Sequence, residues 1–253
     1  MARRDLRLRA GGALTIVVVL ASLALGLAST PSSGAANNNG SRPASGYWLV
    51  GSDGGIFTYG GATFYGSPGG MTLNMPIVGI ATTPDGKGYW LVNASGGIYQ
   101  FGDAVNYGDL SGTTLNKPIV GIAATADGRG YRLVASDGGV FAYGDAAFYG
   151  STVGKPLNQP IVGIASDATT GGYWLVAYDG GVFGFHSGFF CGSVGGQGYT
   201  GIIGMTLNTP NLGYWLVNTS GGIFAMTAAC DTPYFGDISG TSLNAPVVGM
   251  AQS

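Results

Sequence analysis

The chain has 253 residues, 45% apolar and only 9% charged, with 49 Gly and 12 acidic residues that are all Asp. No Gly-X-Y period runs through it, which excludes collagen. The 11% aromatic residues, with abundant Val, Ile and Leu, can offset the entropy of ordering, which argues against disorder.

The absence of Glu beside so much Asp and Gly favours turns over helices, and so an all-β chain. Taking away the first 35 residues removes four of ten basic groups and one Asp, leaving six positive groups against eleven negative. No basic stripe remains for a nucleic-acid backbone, so DNA or RNA is not expected as a partner.

Arg3, Arg4, Arg7 and Arg9 precede an apolar stretch at 13–27, followed by small residues up to Ala36. This is the three-part pattern of a secretory signal peptide. The stretch is about 15 residues long, short of the roughly 20 that span a bilayer. Residues 1–35 are therefore expected to be a signal peptide cleaved after Ala35, with cleavage after Ala28 or retention as a signal anchor as alternatives. Arg3-Arg4-Asp5-Leu6 loosely matches a twin-arginine export signal. Residues 36–45 read as a flexible linker. The product is expected outside the cytoplasm, secreted or cell-wall associated, with no membrane span after cleavage.

From residue 46 the sequence repeats itself. Gly46-Tyr47-Trp48-Leu49-Val50 returns at residues 88, 130, 172 and 213, in steps of 42, 42, 42 and 41. Each copy continues into a Gly-Gly turn and an aromatic strand, as in Asp53-Gly54-Gly55-Ile56-Phe57-Thr58-Tyr59. A short segment such as Ala62-Thr63-Phe64-Tyr65-Gly66 follows, then a loop ending Leu73-Asn74-Met75-Pro76. An inner strand, Ile77-Val78-Gly79-Ile80-Ala81, leads to the turn Pro84-Asp85-Gly86. The strands are β-branched or aromatic and the turns carry Gly, Asp, Asn or Pro. Four short strands at this period predict a propeller blade.

The repeat region opens on a second strand at Tyr47. It ends on an inner strand, Val247-Val248-Gly249-Met250-Ala251. The reading is a five-bladed β-propeller of four-stranded blades over 46–253, its ring closed by the C-terminal strand joining the first blade. Gly79, Gly121, Gly163, Gly204 and Gly249 share one inner-strand position and predict close backbone approach near the axis.

The run from Pro76 to Gly108 resembles repeats of secreted actinobacterial proteins, with its Pro-Ile-Val-Gly-Ile-Ala, Asp-Gly-Lys-Gly-Tyr-Trp-Leu-Val and Gly-Gly-Ile-Tyr-Gln-Phe-Gly-Asp-Ala segments. The resemblance covers about 46–251 and implies propeller blades, often found beside cell-wall enzymes. The blade count is also similar to that of tachylectin-type lectins, an analogy of fold alone.

Candidate chemistry is sparse, and no catalytic residue, cofactor or metal site is expected. The Asp residues fall mostly in turns, and the inner strands carry no carboxylate for a glycosidase pair. His186 is the single His and replaces a repeat Gly. Trp48, Trp90, Trp174 and Trp215 share one repeat position, with Arg132 in the third copy. They suit either packing between blades or stacking on a ligand.

Asn74, Asn116, Asn158 and Asn244 recur in the loop before the inner strand. They suit either capping of their own turn or hydrogen bonding to a sugar or peptide. Asn93-Ala94-Ser95 and Asn218-Thr219-Ser220 match a glycosylation sequon and are read as turns. Cys191 and Cys230, in adjacent repeats of an exported chain, are expected to form a disulfide. The expectation is a monomeric, non-enzymatic module recognising cell-wall glycan or another polysaccharide. The alternatives are a scaffold for another extracellular protein and a glycan-active propeller enzyme.

Overall fold

A computed structural model describes the backbone of Ile16–Val17 and residues 46–208, 213–227, 230, 232–240, 242 and 247. The described residues form five antiparallel three-stranded sheets and no helix. The first sheet is β1 (Ile16–Val17), β2 (Gly46–Gly51) and β3 (Ile56–Gly60). The second is β4 (Ile77–Thr82), β5 (Gly88–Asn93) and β6 (Ile98–Gly102). The third is β7 (Ile119–Ala124), β8 (Gly130–Ala135) and β9 (Val140–Gly144). The fourth is β10 (Ile161–Ser166), β11 (Tyr173–Ala177) and β12 (Val182–Phe185). The fifth is β13 (Ile202–Asn208), β14 (Gly213–Asn218) and β15 (Ile223–Met226). Among the described residues no helix is long and apolar enough to cross a membrane.

Turn chemistry explains the hairpins. The first Gly of each Gly-Gly pair has φ near +80°, a region closed to most side chains: Gly54, Gly96, Gly138, Gly180 and Gly221. The N–H of the second Gly is satisfied in two ways. Asp53, Asp137 and Asp179 accept it from Gly55, Gly139 and Gly181. In the second and fifth copies Asn93 and Asn218 accept it from Gly97 and Gly222, and also bind Ser95 and Ser220. The two sequons are therefore turn-forming residues, as expected.

The core lies between sheets. One buried cluster joins Val50 of the first sheet to Ile77, Ile80, Tyr89 and Leu91 of the second. Others join Trp90 and Val92 to Tyr131 and Leu133, Val134 to Tyr173 and Leu175, and Trp174 and Val176 to Tyr214 and Leu216. The middle strands β5, β8 and β11 are thus covered on both faces, and every residue of each is buried. The inner strands follow one register with a bulge: Ile77 pairs with Asn93 and Gly79 with Val92.

Two expectations are corrected, the fourth strand and, in part, the close approach at the inner Gly position. Among the described residues the fourth strand of the repeats does not form. The segments at 62–66, 104–108, 146–150 and 188–192 join no ladder, because side chains take their backbone groups. The Tyr131 hydroxyl donates to Gly108 O and accepts from Tyr107 N, while Trp90 Nε1 donates to Val105 O. Each segment is stitched to its own middle strand by the Trp, or by Arg132 in the third repeat, and to the next sheet by the Tyr.

The inner edge of β2 is occupied by Ile16–Val17, which pair with Gly51 and Val50. The chain's C-terminal strand was expected there. Of that strand only Val247 is described, and Gly249 lies outside the described residues.

Close approach between inner strands holds at Gly79 and Gly121 but not at Gly163, where a Cβ would meet only Val176 of its own sheet, at 3.3 Å. A Cβ on Gly79 would meet Ile122 at 3.2 Å, and one on Gly121 would meet Ile164 at 3.4 Å. On Gly204 it would meet nothing within 4 Å.

Candidate functional site

The Trp position is structural in every described repeat. Nε1 of Trp48, Trp90, Trp174 and Trp215 donates to the backbone oxygen of Thr63, Val105, Phe189 and Pro233, each in the following segment. The rings of Trp48, Trp90 and Trp174 also pack at 5.7–6.2 Å on Tyr89, Tyr131 and Tyr214 of the next sheet. Trp90, Trp174 and Trp215 are buried and offer no face to a sugar.

Arg132 does the same work with a different side chain. Its Nε donates to Ala147 O, the place that a Trp Nε1 would reach, and its Nη2 donates to Gly171 O. The guanidinium lies 4.8 Å from the Tyr173 ring centroid and is 2% exposed. Burial lowers its pKa, against the opposing effect of Tyr173 and Tyr149. The broken symmetry is a substitute for packing, not an opening.

The Asn position behaves differently. Asn74, Asn116 and Asn158 are exposed, and none makes a side-chain hydrogen bond among the described residues. The expected capping of their own turn is absent. Asn244 lies outside the described residues.

Asn158 and Gln159 line two neighbouring clefts. One, of about 330 Å³, is bounded by Ser136 and Asp137 of the third sheet's Gly-Gly turn and by Val153, Lys155 and Leu157. The other, of about 280 Å³, is bounded by Asp179, Phe183 and Ser193. Backbone bonds fix this surface: Ile161 N donates to Ser136 O and Tyr178 N to Pro160 O, tying each loop to the turns beside it. The cleft walls mix carboxylate, amide, hydroxyl and apolar groups, which suits a small polar ligand. Sequence reading named Asn158 but not Lys155, Gln159 or Phe183. The repeat positions of Lys155 and Gln159 vary, and that of Phe183 is aromatic in every copy, as Phe57, Tyr99, Phe141 and Phe224, which reads as a strand position and gave no signal of a cleft.

The carboxylates serve turns. Hydrogen bonding to Lys87 holds the Asp85 carboxyl down to about 2, and bonding to Ser239 does the same for Asp237. The Arg129 N–H lowers Asp127. At Asp167 burial pushes upward, but bonds from Gly188, Thr169 and Thr170 win and the net shift is downward. A glycosidase acid needs the opposite shift. Among the described residues no cluster of three His, Cys, Asp or Glu is placed to hold a metal ion.

Two further departures from the repeat are packing devices. Cys191 and Cys230 form a disulfide between the fourth and fifth repeats. Cys191 stands where Tyr65 and Tyr107 donate to Gly86 O and Gly128 O of the next sheet, so a covalent link replaces a hydrogen bond. His186 takes φ +51°, where Gly60, Gly102 and Gly144 have φ of +64° to +69°, and it stacks on Tyr149 at 4.3 Å.

No family model and no curated protein matches the chain.

Proposed function

We propose that the five sheets are the blades of one five-bladed β-propeller, closed by residues 247–251 on the first sheet, and that it is a non-enzymatic recognition module outside the cytoplasm. The ligand is a cell-wall glycan or related polysaccharide, bound on the face that carries the Gly-Gly turns and the Asn loops. The observation that carries this reading is Asn158, an exposed and unpaired amide on the ridge between two clefts, with Asn74 and Asn116 free at the same repeat position.

An amide offers both donor and acceptor to a sugar hydroxyl. Repetition around a ring converts modest single-site affinities into avidity. The Cys191–Cys230 disulfide and the N-terminal pattern support an oxidising compartment outside the cytoplasm. The likeness to secreted actinobacterial repeats is in keeping with it.

A protein scaffold is the second reading. Phe64, Phe148, Phe190 and Tyr234 stand exposed at one repeat position of the outermost segments, and such a rim suits a protein partner.

Retention of the protein on insoluble cell wall and a polysaccharide panel, with free-sugar competition, tests the reading. Saturable binding that a defined sugar competes away supports it, and Asn158→Ala should weaken that binding roughly 3- to 10-fold. Binding insensitive to Asn74→Ala, Asn116→Ala and Asn158→Ala, but lost with Phe148→Ala and Phe190→Ala, would favour the scaffold.

A further inference from the structure

The second of the two clefts beside Asn158 holds polar groups that the turns do not use up. Asp179 is only 9% exposed. Its Oδ1 accepts the Gly181 N–H at 3.0 Å, and its Oδ2 has no hydrogen-bond partner among the described residues. The Phe183 ring stands beside that carboxylate. A Cβ on Gly181 would touch Asp179 Oδ1 at 3.2 Å and Phe183 Cε2 at 3.4 Å. Because residue 181 is Gly, ring and carboxylate border one recess, together with Asn158 and Gln159. The charge of the recess has one sign. Lys155 lines the first cleft and not this one, and its Nζ lies 5.7 Å from the Phe185 ring centroid.

The junction between the fourth and fifth repeats shows what such a ring takes as a neighbour. Tyr199 stands at the repeat position of Asn74, Asn116 and Asn158, and Phe224 at that of Phe183. The two rings meet edge to face, with centroids 4.9 Å apart and planes at 68°. Tyr199 remains 44% exposed, so it is a cover laid from the loop and not a piece of core. Among the described residues Tyr99, Phe141 and Phe183 make no such ring contact. An edge-to-face pair places C–H bonds on a π face. The C–H face of a pyranose makes the same kind of contact.

We propose that the cleft between Asn158 and Phe183 is a subsite for one neutral pyranose unit, and that Tyr199 covers the equivalent place at Phe224. This rests on the reading of this face as the glycan-binding face. The sugar lays its C–H face on the Phe183 ring. One hydroxyl donates to Asp179 Oδ2, a charge-assisted bond, and another bonds to the Asn158 amide. At about 280 Å³ the cleft is at the small end of ligand sites, which suits a single unit of a chain. A uronic acid would bring its charge against Asp179 with no cation in the cleft, so the carboxylate selects for neutral sugars.

The test is titration of the full chain with cellotriose, tri-N-acetylchitotriose, mannotriose and trigalacturonic acid, read by the NMR shifts of backbone amides. A neutral trisaccharide should move the amides of Gly181 and Gly195. Phe183→Leu keeps an apolar side chain without a π face and should weaken that binding roughly 3- to 10-fold, whereas Phe183→Tyr, the residue present as Tyr99, should restore it. Asp179→Asn retains an acceptor for the Gly181 N–H and should narrow the gap between neutral and uronate probes by at least about threefold. Tyr199→Ala should add shifts at Gly222 and Phe224. Binding that is weakened by Asn158→Ala but indifferent to Phe183→Leu and Asp179→Asn would overturn the subsite and leave the glycan reading standing. A preference of the parent for trigalacturonic acid would do the same. No shift with any probe would overturn both. No added shift in Tyr199→Ala would overturn the covered counterpart at Phe224.

Discussion

The junction between the second and third sheets and the bare flank of the first sheet are built from the same motif with opposite results. Gly130-Tyr131-Arg132-Leu133-Val134 is buried at every position, whereas Gly46-Tyr47-Trp48-Leu49-Val50 runs from exposed at its start to buried at its end. Both strands pair with a third strand in the same register, Tyr131 with Tyr143 and Tyr47 with Tyr59. What differs is the preceding sheet. Tyr131 reaches back to Gly108 O and Tyr107 N, while Tyr47 has only the Tyr59 ring, stacked at 5.0 Å. A sheet here owes its burial to its neighbours more than to its own ladder, since β5, β8 and β11 are each a wall of two cores and β2 of one.

The largest expected effect comes from the one covalent junction. Replacing Cys191 and Cys230 by Ala opens a link spanning 39 residues and should cost about 2–4 kcal/mol, measured by urea unfolding. A loss below about 0.5 kcal/mol would mean that the fourth and fifth repeats are held as firmly by packing alone.

Arg132→Ala should cost about 3 kcal/mol, because it empties a buried site and orphans two carbonyls. Arg132→Trp restores the repeat residue and its bond to Ala147 O, so it should lie within about 1 kcal/mol of the parent. A glycan affinity that falls with Arg132→Trp at unchanged stability would contradict the packing role.

Tyr131→Phe leaves Tyr107 N without its partner and should cost about 1–3 kcal/mol. Tyr47→Phe sharpens the comparison. It should be neutral within about 0.5 kcal/mol, because the Tyr47 hydroxyl makes no hydrogen bond among the described residues.

The smallest effect concerns pH. Asp167 has a folded pKa below its unfolded value, so its contribution is fully present above about pH 4 and is lost as pH falls through the folded pKa. Asp167→Asn should therefore lower stability at pH 7 and differ less from the parent below about pH 3. A difference constant across that range would show that the carboxylate charge has no part in holding the loop.

Much of the molecule was legible before any coordinate. Hairpins form from contiguous residues whose preferences are local, so the Gly-Gly turns, the β-branched strands and the period near 42 placed all but one of the described strands. The sequence also suggested the Cys191–Cys230 pair, because the two Cys fall in adjacent repeats of a chain that carries an export pattern.

Only the tertiary structure showed that the outermost segments forgo a ladder. Their backbone partners are a Trp Nε1 15 residues earlier and a Tyr hydroxyl 23 or 24 residues later, which no local rule reveals. It also showed that Arg132 stands in for Trp and that the Asn74, Asn116 and Asn158 amides are free. That two residues of the N-terminal stretch occupy the first sheet's open edge was likewise beyond the sequence. The physical reason is common to all four: local sequence sets which backbone conformations are cheap, whereas the partner of a polar group or a strand edge depends on which distant segment arrives beside it.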